Sequence, residues 1–196
     1  MANVKANLNG LNKLLKSLKE DYVVRVGIIG SDAKKEHDEG GLTNAELGTV
    51  HEFGATIQHP GGTPYMVTDK GARFVKKELG AGLPTTKPHT IEIPRRSFLE
   101  EPLKEKLNFK KNSTFKKATQ KEAWKQVFGK GNQKKFLNYL GQYALKVIAD
   151  SFEAGGSPKW QSLTSATARR KGSNLPLSDT GNLKGSISYK VIDKSK

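Results

Sequence analysis

Between residues 133 and 153 apolar side chains recur every three or four positions: Phe136, Leu137, Leu140, Ala144, Val147, Ile148 and Phe152. That spacing draws one wide stripe along an α-helix, and Gly155-Gly156 ends it. A stripe of this width must be covered, so the rest of the chain has to supply a surface of matching length. Two segments read as strands for that surface. Tyr22-Val-Val-Arg-Val-Gly-Ile-Ile29 is β-branched and apolar on both faces except at Arg25, which predicts an interior strand. Residues 186–192 alternate at period two and place Ile187, Tyr189 and Val191 on one face.

Other elements are shorter. Leu8, Leu11, Leu15 and Leu18 predict an amphipathic helix over 4–19, and residues 30–42 read as a polar loop. Thr43-x-x-Glu46 is a capping box that starts a helix from Asn44 to Phe53, with Leu47 and Val50 inward and Gly54 as a left-handed stop. Ser97-x-x-Glu100 predicts a second box and a helix over 98–107. Thr164 caps a helix to Lys171, and a single helical turn is expected over 179–183. Residues 55–93 behave differently. Tyr65–Thr68 and Ala72–Val75 flank Asp69-Lys-Gly71 as a hairpin, and Thr90–Ile93 is a further strand ended by Pro94. This segment reads as a hairpin arm. Residues 108–131 form a Lys-rich helical elaboration. With 196 residues, 35% of them hydrophobic, one domain over 1–196 is expected. Its class is α+β: a small, mainly antiparallel sheet packed against a long helix, with a protruding β-hairpin arm.

The chain has no cysteine, which removes disulfides and thiolate metal sites. No apolar run reaches the roughly 18 residues a bilayer span requires, and the N-terminus lacks the apolar core of a signal peptide. The expectation is synthesis in the cytoplasm with no membrane partner. Net charge is +15, and residues 101–140 hold eleven Lys or Arg against three Glu. Such a balance predicts a polyanionic neighbour, either nucleic acid or an acidic protein surface. Few aromatics interleave with these lysines, so base stacking is not suggested.

Catalytic constellations are missing. His51-Glu52 lacks a second histidine at i+4, and His59 lies past the helix-ending Gly54, so no zinc spacing forms. There is no Gly-x-Ser-x-Gly elbow and no Walker loop, and the scarce carboxylates sit mostly among lysines. No enzyme, no cofactor and no metal are expected.

Three clusters carry a family resemblance. They are Asn44-Ala-Glu-Leu-Gly-x-x-His51-Glu52-Phe53-Gly54 with His59-Pro-Gly-Gly-Thr-Pro-Tyr65; Ile93-Pro94-Arg95-Arg96-Ser-Phe98-Leu99; and Trp160-x-x-Leu163-Thr-x-x-Thr167, then Arg170-Lys-Gly172, then Leu177-x-Asp179-Thr180-Gly181-x-Leu183-x-x-Ser-Ile187. In this order and spacing the chain resembles phage virion-morphogenesis proteins of the Mu G-like type and the broader HK97 gp10-like tail-completion and neck proteins. The second cluster departs from the usual Ile-Pro-Ala-Arg by its extra arginine. Locally, Trp160 and Leu163 are expected to cover the core like a lid. Asp179-Thr180-Gly181 supplies cap and turn chemistry that returns the last strand to the sheet.

The resemblance implies a structural virion protein of the phage neck, acting in tail completion or head–tail joining as a ring-forming subunit between connector and tail. Implied partners are copies of itself, the connector or stopper, and the tail terminator or tube. The implied location is the virion, with assembly in the host cytoplasm. Genome DNA passing through the lumen would meet Lys110, Lys111, Lys116, Lys117 and Lys121, unless these face an acidic partner. Alternatives are a tail terminator, or a basic accessory protein that binds nucleic acid without sequence preference.

Overall fold

The computed structural model describes residues 22–36, 41–69, 71–107, 133–178 and 181–194, with single helical positions at 113, 117 and 120. The expected helix over 4–19 lies outside the described residues, as does the Lys-rich stretch apart from those positions. In chain order the elements are β1 (Tyr22–Ile28), α1 (Ser31–Lys34), α2 (Asn44–Phe53), β2 (Ala55–His59), β3 (Tyr65–Thr68), β4 (Gly71–Phe74), a 3-10 turn (Lys77–Leu79), β5 (His89–Ile93), α3 (Glu100–Lys106), α4 (Gln133–Ala154), α5 (Ser165–Lys171), α6 (Asn182–Gly185) and β6 (Ile187–Asp193). The class is α+β, as the patterns predict.

The body is built on the stripe of α4. β1 pairs antiparallel with β6, Tyr22 opposite Asp193 through to Ile28 opposite Ile187. The face bearing Val24, Val26, Ile28, Ile187, Tyr189 and Val191 lies under α4. Contact is closest at Gly141, where an added methyl group would collide with the Tyr189 ring. A mid-helix glycine gives up about 1 kcal/mol of helix propensity relative to alanine, and here that loss allows helix and sheet to touch. Phe98, Ile148, Phe152, Trp160, Leu183 and Ile187 form the buried core.

β1 is not the interior strand that its apolar run predicts. Among the described residues its one strand partner is β6. The apolar side chains divide between the α4 face and an outer face that is only partly covered, and Arg25 is exposed on the latter. The predicted polar loop after Gly30 contains one helical turn, α1, which receives Asn44: its amide donates to the Lys35 carbonyl at 2.8 Å and its Nδ2 to Asp32 O at 3.0 Å.

Both halves of the Thr43 box are present. Glu46 N donates to Thr43 Oγ1 at 3.3 Å, and Thr43 N donates to Glu46 Oε2 at 2.9 Å. The Thr43 amide, then its hydroxyl, hold the Glu46 carboxyl below the usual range. The sign follows from that direction. The cap's stabilisation is present above the unfolded-state pKa and is lost as pH falls through the lower, folded-state value. α2 ends at Gly54 as predicted, but with φ 78° and ψ 166°, an extended mirror-region conformation instead of a left-handed cap.

The arm is a two-tier ribbon. β3 and β4 form the predicted hairpin, Tyr65 opposite Phe74 and Thr68 opposite Gly71. Below it β2 pairs with β5, Ala55 opposite Ile93 through His59 opposite His89. Ala55–His59 was not expected to be a strand. Between the tiers, Gly62 N donates to Thr86 O at 2.8 Å and Thr86 N returns to Thr63 O at 3.0 Å.

Candidate functional site

The three sequence clusters meet at the root of the arm. The centre of the junction is Glu52, in the last turn of α2 and 5% exposed. Its carboxylate accepts four hydrogen bonds from one stretch of chain. Ser97 Oγ donates at 2.6 Å, Phe98 N at 2.8 Å, Leu99 N at 3.0 Å and Glu100 N at 3.0 Å. The Leu99 and Glu100 amides are among those that a helix start leaves without intrahelical partners, and the Phe98 amide lies just ahead of them. Glu52 is therefore the cap of α3, supplied from 45 or more residues upstream.

This corrects the expectation of a Ser97–Glu100 capping box. Ser97 Oγ accepts from Glu101 N at 3.1 Å, but the Glu100 side chain turns outward to Lys104 and Arg95. The Glu52 carboxylate takes the Glu100 amide that the Ser97 hydroxyl would have accepted from in such a box. The helix accordingly begins at Glu100, two residues later than predicted.

The two arginines divide. Arg95 Nε donates to the Glu52 carbonyl at 3.2 Å, and its Nη2 reaches Glu100 at 3.3 Å and Glu101 at 3.1 Å. Arg96 is buried, and desolvation pushes its guanidinium below the usual arginine value. Arg96 N donates to the His51 carbonyl at 2.8 Å and Nε to the Gln161 carbonyl at 3.3 Å. Arg96 thus spans from α2 to the segment after Trp160. Trp160 itself donates from Nε1 to Ser97 O at 3.0 Å. Its ring meets Phe152 edge-on at 5.3 Å, and Phe152 meets Phe98 at 5.6 Å. Trp160 is the predicted lid, and Leu163 beside it is half-buried. Gly181, φ 78°, precedes α6 and sends Leu183 into the core. Asp179 and Thr180 lie outside the described residues. So do Lys110, Lys111, Lys116 and Lys121, whereas Lys117 is helical and exposed.

Outside this junction lies an open cleft of about 570 Å³. Phe53, Gly54, Ala55 and Thr56 line one wall, and Glu92, Ile93, Pro94, Arg95 and Gln161 the other. Phe53 is 66% exposed there although it is a large apolar residue at the end of a core-facing helix. Gly54 sits where the two strands leave the body, and a Cβ on it would stand 3.0 Å from both Arg95 N and Ile93 O. Gly54→Ala should therefore cost about 2–3 kcal/mol from its positive φ and this backbone crowding. In a chain of this length that is a fall in melting temperature of roughly 5–10 °C, and an unchanged melting curve would refute the account.

Beyond the root the arm is amphipathic. Ala55, Ile57 and His59 share a face with Ile93, Ile91 and His89, and the two histidine rings stack at 4.9 Å. Thr56, Gln58, Thr90 and Glu92 take the other face, with Thr90 Oγ1 donating to Gln58 at 2.9 Å. The tip repeats the pattern: Tyr65, Val67, Ala72 and Phe74 share one face. Ile57 is 44% exposed, Val67 79% and Phe74 58%. No arm residue belongs to the core cluster. The mirrored alternation of 55–59 and 89–93 was the signal available in the sequence for this pairing.

The junction's chemistry is structural. A carboxylate saturated by four donors has no lone pair aimed at a substrate proton. Among the described residues no group of three or more His, Asp or Glu side chains converges as a metal site. No family model, curated protein or solved structure matches the chain.

Proposed function

We propose that this chain is a structural subunit of a phage neck, acting in tail completion or head–tail joining within a homo-oligomeric ring. The observation that carries the reading is the arm: two β-ribbons, each with an apolar face that stays exposed at Ile57 and Ile91 in one and at Val67 and Phe74 in the other. A two-stranded ribbon cannot bury such a face by itself, and its open edges invite further pairing. A neighbouring subunit supplies both a cover and a strand partner by β-augmentation. The same contact repeated from copy to copy closes a ring, in which no arm is left bare.

The junction supports this reading through its rigidity. The Glu52 hub, Arg95 and Gly54 fix the direction in which β2 and β5 leave the body, so every copy presents its arm at the same angle. Glu52, Arg95, Ser97 and Trp160 of this junction come from the clusters that resemble the virion-morphogenesis and neck proteins. In the proposed assembly the ring docks on a connector or stopper below the head and presents a surface to the tail terminator or tube.

Electron microscopy of a phage lacking the chain tests the assignment. Full heads beside finished but unjoined tails are expected. Overlong tails would assign the chain to termination, and normal joined particles would remove the proposal.

A further inference from the structure

The outer face of the β1–β6 pair, turned away from α4, carries an unusual charge arrangement. Register places Arg25 directly opposite Lys190, and both side chains are exposed. Neither has an ion pair or hydrogen bond among the described residues. Like charges directly opposite in an antiparallel pair weaken it. The neighbouring pairs on this face are Val23 with Ile192 and Gly27 with Ser188, so no carboxylate stands beside the cations. Leu99 borders one end, its Cδ1 3.8 Å from where a Cβ on Gly27 would stand.

We infer that this face is a nucleic-acid backbone site, with Arg25 and Lys190 each neutralising a phosphate and the Ser188 hydroxyl adding a hydrogen bond. An anion lying across the two cations removes the repulsion that the register builds in. Gly27 is buried beside Leu99, so a phosphodiester reaches this face at the exposed Arg25 and Lys190, with the half-buried Ser188 at its edge. No aromatic side chain stands among these three pairs to stack on a base, so contact is to the backbone and carries no sequence preference. The excess of 34 Lys and Arg over 19 Asp and Glu attracts an extended polyanion over the whole chain, which favours nucleic acid over a local acidic surface. The inference goes beyond the assembly reading and does not depend on it, because it concerns the isolated chain and residues of β1 and β6, outside the arm.

The test is fluorescence anisotropy of purified full-length protein with a mixed-sequence DNA duplex across a salt series. Arg25→Gln with Lys190→Gln should make the plot of log affinity against log salt shallower by about 1.8, that is about 0.9 for each lost phosphate contact. Lys77→Gln with Lys87→Gln on the arm removes the same charge elsewhere and should keep most of the slope. The Arg25/Lys190 double variant should also melt no lower than the parent without DNA, because it relieves like-charge repulsion. A slope unchanged in that variant, an equal loss in the arm control, or no DNA binding by the parent would each overturn the inference. So would intact DNA binding with lost binding to poly-glutamate, which would assign the pair to an acidic protein surface.

Discussion

Glu52→Ala should lower the melting temperature by roughly 10 °C or more, corresponding to about 3–5 kcal/mol. The size follows from the number of donors left without an acceptor. Three backbone amides and the Ser97 hydroxyl point at one buried carboxylate. Each buried donor left unsatisfied costs about 1–3 kcal/mol, reduced where water enters the space. The loss also spreads, because the same segment holds Trp160 through the Ser97 carbonyl and places Phe98, which is 0% exposed, in the core. Glu52→Gln retains one oxygen but sets an amide group against the remaining donors, so it should lie between parent and alanine. Thermal melts of the three proteins by circular dichroism decide the point. A shift under about 2 °C for the alanine variant would show that the hub is not what joins α2 to α3.

Deleting residues 60–78 should have the opposite profile: almost no effect on stability and complete loss of assembly. The deletion removes β3 and β4 and leaves β2 paired with β5 through the remaining loop. No core residue is lost, so the truncated chain should melt within about 3 °C of the parent. Light scattering and particle complementation read the second half. The parent is expected to form a closed oligomer and to rescue a phage lacking it, and the truncated chain to do neither. Val67→Asp with Phe74→Asp is the gentler form of the same test, since it keeps the hairpin and charges its bare face. Truncated protein recovered in infectious particles would sink the arm's proposed role.

Much of the local structure was legible because the forces that make it are local. The Thr43–Glu46 box, the Thr164 cap, the Asp69–Gly71 turn and the stripe of α4 each depend on residues within a turn or two of one another. Periodicity also gave the inward face of β6 correctly. The site was legible only as three separate clusters, since spacing along the chain says nothing of which cluster meets which.

What the sequence by itself determined, then, is the α+β class, the long helix with its apolar stripe, the arm's hairpin and the absence of cysteine chemistry. What only the tertiary structure decided is where the charged and apolar residues around Gly54 go. Glu52 and Phe53 are adjacent, yet the carboxylate is buried and the ring is exposed. Helical phase alone does not predict that inversion. It arises because a segment 45–48 residues away brings four donors to Glu52, and their hydrogen bonds offset the desolvation of a carboxylate. The same long-range contact displaced the Ser97–Glu100 box, and the pairing of Ala55–His59 with His89–Ile93 made the former a strand. Each of these outcomes depends on a partner remote in sequence, and therefore on the assembled fold.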